Sequence, residues 1–144
     1  MDRPVEGLID DLTRGNVTEV KVVLASVVLA LAVYQLVLAA VSYGKLRPRL
    51  LESGPATWAH RALGDAVLVL AVLVAVACIA YYGFEEGGAH AIFGCLVLGA
   101  LAAKVLAVRI GGSSSPLLPW IGIALFSLLT ATWLTSAGDF LGVG

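Results

Sequence analysis

Charge is what this sequence has least of: 13% of its 144 residues are Asp, Glu, Lys or Arg, about half the share of a soluble domain. Without that charge, the surface of a water-soluble fold cannot be built. Histidine is present twice, cysteine twice and methionine once, at position 1. Two cysteines exclude a disulfide-stapled scaffold, and two histidines with so few acids leave little for a multi-ligand metal enzyme. No serine has a base and an orienting acid at a matching position, and no glycine-rich phosphate loop follows a strand, so no catalytic set is assigned. The one basic cluster, Lys45, Arg47 and Arg49, has no interleaved aromatics to stack bases. It suits anionic headgroups better than nucleic acid, and no nucleic-acid partner is expected.

Apolar residues make up 60% of the chain, and mean hydropathy is +0.97. The charges fall mostly in clusters that leave four long, nearly uncharged stretches between them: about Val20 to Tyr43, Trp58 to Tyr82, Ala89 to Val108 and Leu117 to Ser136. A helix needs about 20 such residues to cross about 30 Å of hydrocarbon. None of the stretches alternates with period 2, so helices are expected rather than a barrel. Pro48, Pro55 with Ser53-Gly54, Glu85-Glu86-Gly87-Gly88, and Gly111 to Pro116 read as the connections. The expected fold is all-α, an integral membrane up-down four-helix bundle over residues 20–144, preceded by a polar segment 1–19. That segment has a helical pattern through Val5, Leu8, Ile9 and Leu12 and suits the membrane surface or a partner.

Lys and Arg beside spans are retained in the cytoplasm. Lys45, Arg47, Arg49, Arg61, Lys104 and Arg109 fall on one side of a four-span chain, and Arg3, Arg14 and Lys21 on the other. That other side also carries Asp2, Glu6, Asp10, Asp11, Glu19, Glu85, Glu86 and Asp139. A multi-pass plasma-membrane protein with both termini outside is therefore expected. The first span is too long for a signal-peptide core, and a basic flank follows it, so it stays in the mature chain. Tyr43, Trp58 and Trp120 mark the inner interface; Tyr81, Tyr82 and Trp133 mark the outer one.

Chemistry has to come from the few polar residues inside the spans: His60, Arg61, Asp65, Cys78, His90, Cys95 and Lys104. Asp65 and Lys104 fall at equal depth about a turn centred near Glu86. A buried ion pair between them would set the register of the second and third spans, with Arg61, one turn before Asp65, as the competing partner. A proton relay would need a second intramembrane carboxylate, and four short spans enclose a retinal on Lys104 poorly. Cys78 and Cys95 also match in depth, toward the outer leaflet. They read as two small apolar residues, as a disulfide, or with His90 as a soft-metal site for Cu(I) or zinc.

The histidines open their spans in one pattern, His60 with Gly64 and His90 with Gly94. An imidazole ligates haem iron, and a glycine one turn on lets a porphyrin approach the helix, so haem b is a candidate cofactor. The two histidines lie at opposite membrane faces, about 30 Å apart at about 1.5 Å per residue, so one haem cannot bridge them. A single chain would offer only five-coordinate sites, or sites completed by another subunit. The bland alternative is that the histidines sit at interfaces and the glycines allow close helix packing.

His90 through Cys95, Gly99 through Arg109, Leu118-Pro119-Trp120 and Thr132 through Ala137 resemble a group of small bacterial four-helix membrane proteins of unknown function. The likeness runs from His60-Arg61 to about Phe140. That group is similar in layout to membrane b-type cytochromes of the ferric-reductase and ascorbate-reducible kinds, which implies haem-linked electron transfer. The resemblance also implies a histidine just before Cys78, where this chain has Ala77, and an apolar residue where it has Asp65; its lysine is matched by Lys104. Two functions follow. One is a non-catalytic structural or accessory subunit, with Gly94, Gly99, Ala102 and Ala103 packing in its own bundle, a homo-oligomer or a larger complex. The other is a b-type cytochrome-like electron carrier. The topology is checked with a reporter enzyme active only outside the cytoplasm: fused after residue 144 it should be active, and fused after residue 50 inactive.

Overall fold

A computed structural model describes residues 4–46, 53–83, 88–112 and 115–142. Asp2, Arg3, Arg47, Arg49, Glu85 and Glu86 of the charge pattern lie outside the described residues. The elements are α1 (Pro4–Thr13), α2 (Val17–Ser42), α3 (Ser53–Tyr82), α4 (Gly88–Gly111) and α5 (Leu118–Trp133), continued by a π turn, Leu134–Gly138, and a last helical turn, Asp139–Leu141. Among the described residues there is no strand. Four helices are long and apolar enough to cross a membrane, at 26, 29, 24 and 21 residues. At about 1.5 Å per residue they all exceed about 30 Å of hydrocarbon.

α3 begins before Trp58, and Ser53, Gly54 and Pro55 are helical rather than a loop. Proline fits there because the first turn of a helix has N–H groups with no helical partner, so nothing is lost by lacking one. α2 ends where Gly44 takes φ +68, letting its N–H reach the carbonyl of Val41 and that of Lys45 reach Ala40. A side chain at Gly44 would be strained in that left-handed turn.

Three contacts set the helix order. Thr18, at the start of α2, meets the Tyr82 hydroxyl at the end of α3 at 3.5 Å. His90, at the start of α4, meets the Thr132 carbonyl near the end of α5. The Trp133 indole N–H donates to Ser26 Oγ at 2.9 Å, joining α5 to the first half of α2. The bundle therefore runs up and down, and the start of α2 and the end of α5 share one face, called here the terminal face. α2–α3 and α4–α5 pack most closely, while the neighbouring α3 and α4 meet at few points.

Two apolar clusters hold the bundle. Leu38, Val41 and Ala56 join α2 to α3 toward the opposite face; Ala71, Val97, Leu101 and Leu125 join α3, α4 and α5 nearer the middle. Most other apolar side chains point outward, and only 6% of the most apolar window of α3 is buried, against 28% for α2. Such outward faces require an apolar solvent, which lipid supplies. Trp58 and Trp120 are highly exposed at the opposite face, as interfacial anchors should be. α1 packs against α3 and α2, with Leu8 and Leu12 left exposed one turn apart.

Leu38 is fully buried between α2 and α3. Leu38→Ala should cost about 1–3 kcal/mol. That is below the usual 2–5 in water because lipid is as apolar as the core, leaving mainly lost packing. Reversible unfolding in detergent micelles measures it.

Candidate functional site at the terminal face

A cavity of about 690 Å³ opens between all four spans at the terminal face. That volume is in the range of small-molecule and cofactor sites. Its deeper wall is aliphatic, from Val28, Ala71, Val97, Leu98 and Leu129; its polar groups come from Lys21, Tyr82, His90, Thr132 and Thr135. The end of α5 contributes through the π turn, whose wider backbone carries Leu134, Thr135 and Ser136 to the cavity wall. π turns are rare and concentrate at functional sites.

His90 sits one turn into α4. Its Nδ1 lies 3.2 Å from the Thr132 carbonyl, which can only accept, so Nδ1 carries the proton. The neutral ring then presents Nε2 with a free lone pair. A histidine that ligates a metal is oriented in this way, by giving its other N–H to a carbonyl. Thr135 closes the group: its hydroxyl is bonded to the carbonyls of Ala131 and Thr132 and stands 3.5 Å from Nδ1. Gly94, one turn after His90, lines the cavity with nothing within 4 Å of the place a Cβ would occupy.

The matching pair at the other end is arranged differently. His60 does not line this cavity. Its backbone carbonyl accepts a hydrogen bond from Gln35 Nε2 at 2.9 Å, and a Cβ on Gly64 would stand 3.9 Å from that same nitrogen. Gly64 thus faces the α2 amide rather than an open space. Gln35 Oε1 and His60 Nδ1 are both buried without a described partner. The repeated motif has two environments, and only His90 with Gly94 borders open volume in this cavity.

Cys78 and Cys95 both border the cavity and are free thiols. Cys78 is half-buried, whereas Cys95 is exposed. Five positions from His90, it points well round the helix from the imidazole. Among the described residues no three His, Cys, Asp or Glu side chains converge in a metal-holding group.

Asp65 is exposed rather than buried, repeating with Val69, Val72 and Val76 along the outward face of α3. The inward face is spent on Val67 and Ala71, which leaves the carboxylate outside the helix contact. Lys104 is half-buried on α4 and within electrostatic reach of Asp65 and His60. No ion pair of 4.0 Å or less joins Lys104, Arg61 and Asp65 among the described residues. Arg61 is exposed one turn before Asp65. Gly99, Ala102 and Ala103 are also exposed on α4, with Ala102 bordering a groove against α3.

The model of the family of unknown function DUF6529 matches residues 7–143. The chain belongs to that family. Its match takes in α2 to α5 whole, and so every residue of the cavity. No curated protein and no solved structure matches the chain.

Sequence reasoning passed over Gln35, Ser26, Lys21 and the carbonyl of Thr132. Gln35 was legible as the one amide inside the first span. The carbonyl carries no sequence signal, because every residue has one. Ser26→Ala and Trp133→Phe should each cost about 1 kcal/mol and the double variant no more than either alone. A double-mutant cycle on thermal unfolding reads this.

Proposed function

We propose that the protein is a non-enzymatic accessory subunit of a plasma-membrane complex that carries one haem b in the outer half of its bundle. The observation that carries this reading is His90 on the wall of a large apolar cavity, with Nδ1 held by the Thr132 carbonyl and Nε2 free. The residues present fit the group. His90 would hold the iron through its free ring nitrogen, Gly94 would leave room for the group beside α4, and Val28, Ala71, Val97 and Leu129 would give it an apolar setting. A bound haem supplies one-electron oxidation and reduction. His90 fixes the orientation of its ligand nitrogen through Thr132, and the aliphatic wall excludes water from it.

His60 belongs to the other end of the bundle, so any second protein ligand would have to come from a partner subunit. Gly99, Ala102 and Ala103 support the existence of that partner. They are exposed on α4, and small residues at helical spacing let two transmembrane helices approach closely. The excess of Lys and Arg at the opposite face supports placing both termini and the cavity outside the cytoplasm.

The test is a reduced-minus-oxidised spectrum of the full chain purified from haem-replete cells with its co-purifying partners. A Soret and α-band signal is expected, lost in His90→Ala and retained in His60→Ala. A signal retained in His90→Ala removes the cavity as the haem site. No signal from any preparation removes the haem reading and leaves a structural subunit, for which the exposed small residues of α4 are the support.

A further inference from the structure

We infer that Lys21 is the anion-recognition residue of the cavity and selects an occupant with a free carboxylate, which for haem means its propionates. The inference rests on the haem reading for the identity of the ligand. It adds which way the ligand lies and what distinguishes it from a neutral porphyrin.

Lys21 is half-buried on the fifth residue of α2, and it is the only Lys or Arg among the residues lining the cavity. Among the described residues no Asp or Glu lines the cavity with it. An ammonium at the edge of an apolar volume is costly unless it finds counter-charge or an aromatic face. Its Nζ lies 4.6 Å from the centroid of the Tyr82 ring, a cation–π contact that parks the charge between α2 and α3. One ring face satisfies the cation incompletely, and an ammonium has three N–H groups to offer.

The rest of α2 continues the same face. Ala25, Val28 and Leu29 follow Lys21 at helical spacing and line the cavity beneath it. A small residue and two aliphatics below a cation make a gradient from charged to apolar over about two turns. Such a gradient matches an amphipathic acid with its carboxylate at the mouth and its apolar body inside. His90 is on α4 and Lys21 on α2, so the ligating nitrogen and the cation enter from different helices. A ligand that uses both is held in one orientation.

The experiment uses the full chain, made under haem limitation and placed in phosphatidylcholine nanodiscs. Hemin and hemin dimethyl ester are titrated in, and the Soret band is followed. Wild type should bind the free acid about tenfold or more tightly than the ester, the worth of a charge-assisted hydrogen bond. Lys21→Gln should bring the two within about twofold, and Lys21→Arg should keep the preference. Lys45→Gln, at the opposite face, should behave as wild type. Equal binding of acid and ester by wild type overturns the inference, as does an undiminished preference in Lys21→Gln. In either case a Soret band that still depends on His90 leaves the haem reading standing. Absence of binding of either compound by wild type, alone and with its co-purifying partners, overturns both. If Lys21→Gln does not fold, the wild-type comparison of acid with ester and the Lys21→Arg result decide.

Discussion

Hydrocarbon offers no hydrogen bonds, and that constraint shapes this protein from its composition to its cavity. Every polar group inside the spans must find its partner within the protein or be left unsatisfied at a cost of several kcal/mol. The backbone complies by forming helices. The side chains comply by turning to backbone carbonyls: Ser42 to Leu38, Ser127 to Ile123, Thr130 to Phe126 and Thr132 to Leu128. Gln35 and His90 do the same across helices, to the carbonyls of His60 and Thr132. Those two bonds join α2 to α3 and α4 to α5, the two most closely packed pairs.

The same constraint explains why the bundle is thin. Lipid is as apolar as leucine, so burying a leucine between helices gains packing but little transfer free energy. Small clusters at Leu38 and at Val97 with Leu101 suffice, and most of α3 is left to face outward. A bundle with so little interior can leave a large volume open at one end. Here the four spans enclose that volume where Trp133 ties α5 to α2.

How much of this was legible beforehand depends on which residue is asked. The four spans followed from the near-absence of charge between clusters, and the structure extends each by only a few residues. α3 gained the most, because Ser53-Gly54-Pro55 reads as a turn locally yet fits the first turn of a long helix. Matched depth along a hairpin brought Asp65 and Lys104 within electrostatic reach, but it said nothing of angle around the helix. Asp65 therefore ended on the outward face. The His90 and His60 motifs are identical in spacing, and only their neighbours separate them: a carbonyl and open space for one, Gln35 for the other.

The sequence by itself determined the number of helices, their apolar character and the positions of the scarce polar residues, because crossing a bilayer depends on composition along the chain. Only the tertiary structure decided which helix faces meet, that α3 and α4 meet sparsely, and that Lys21, Tyr82, His90 and Thr132 border one cavity. Those are rotations about helix axes, and in a span apolar on every side no hydrophobic stripe records them.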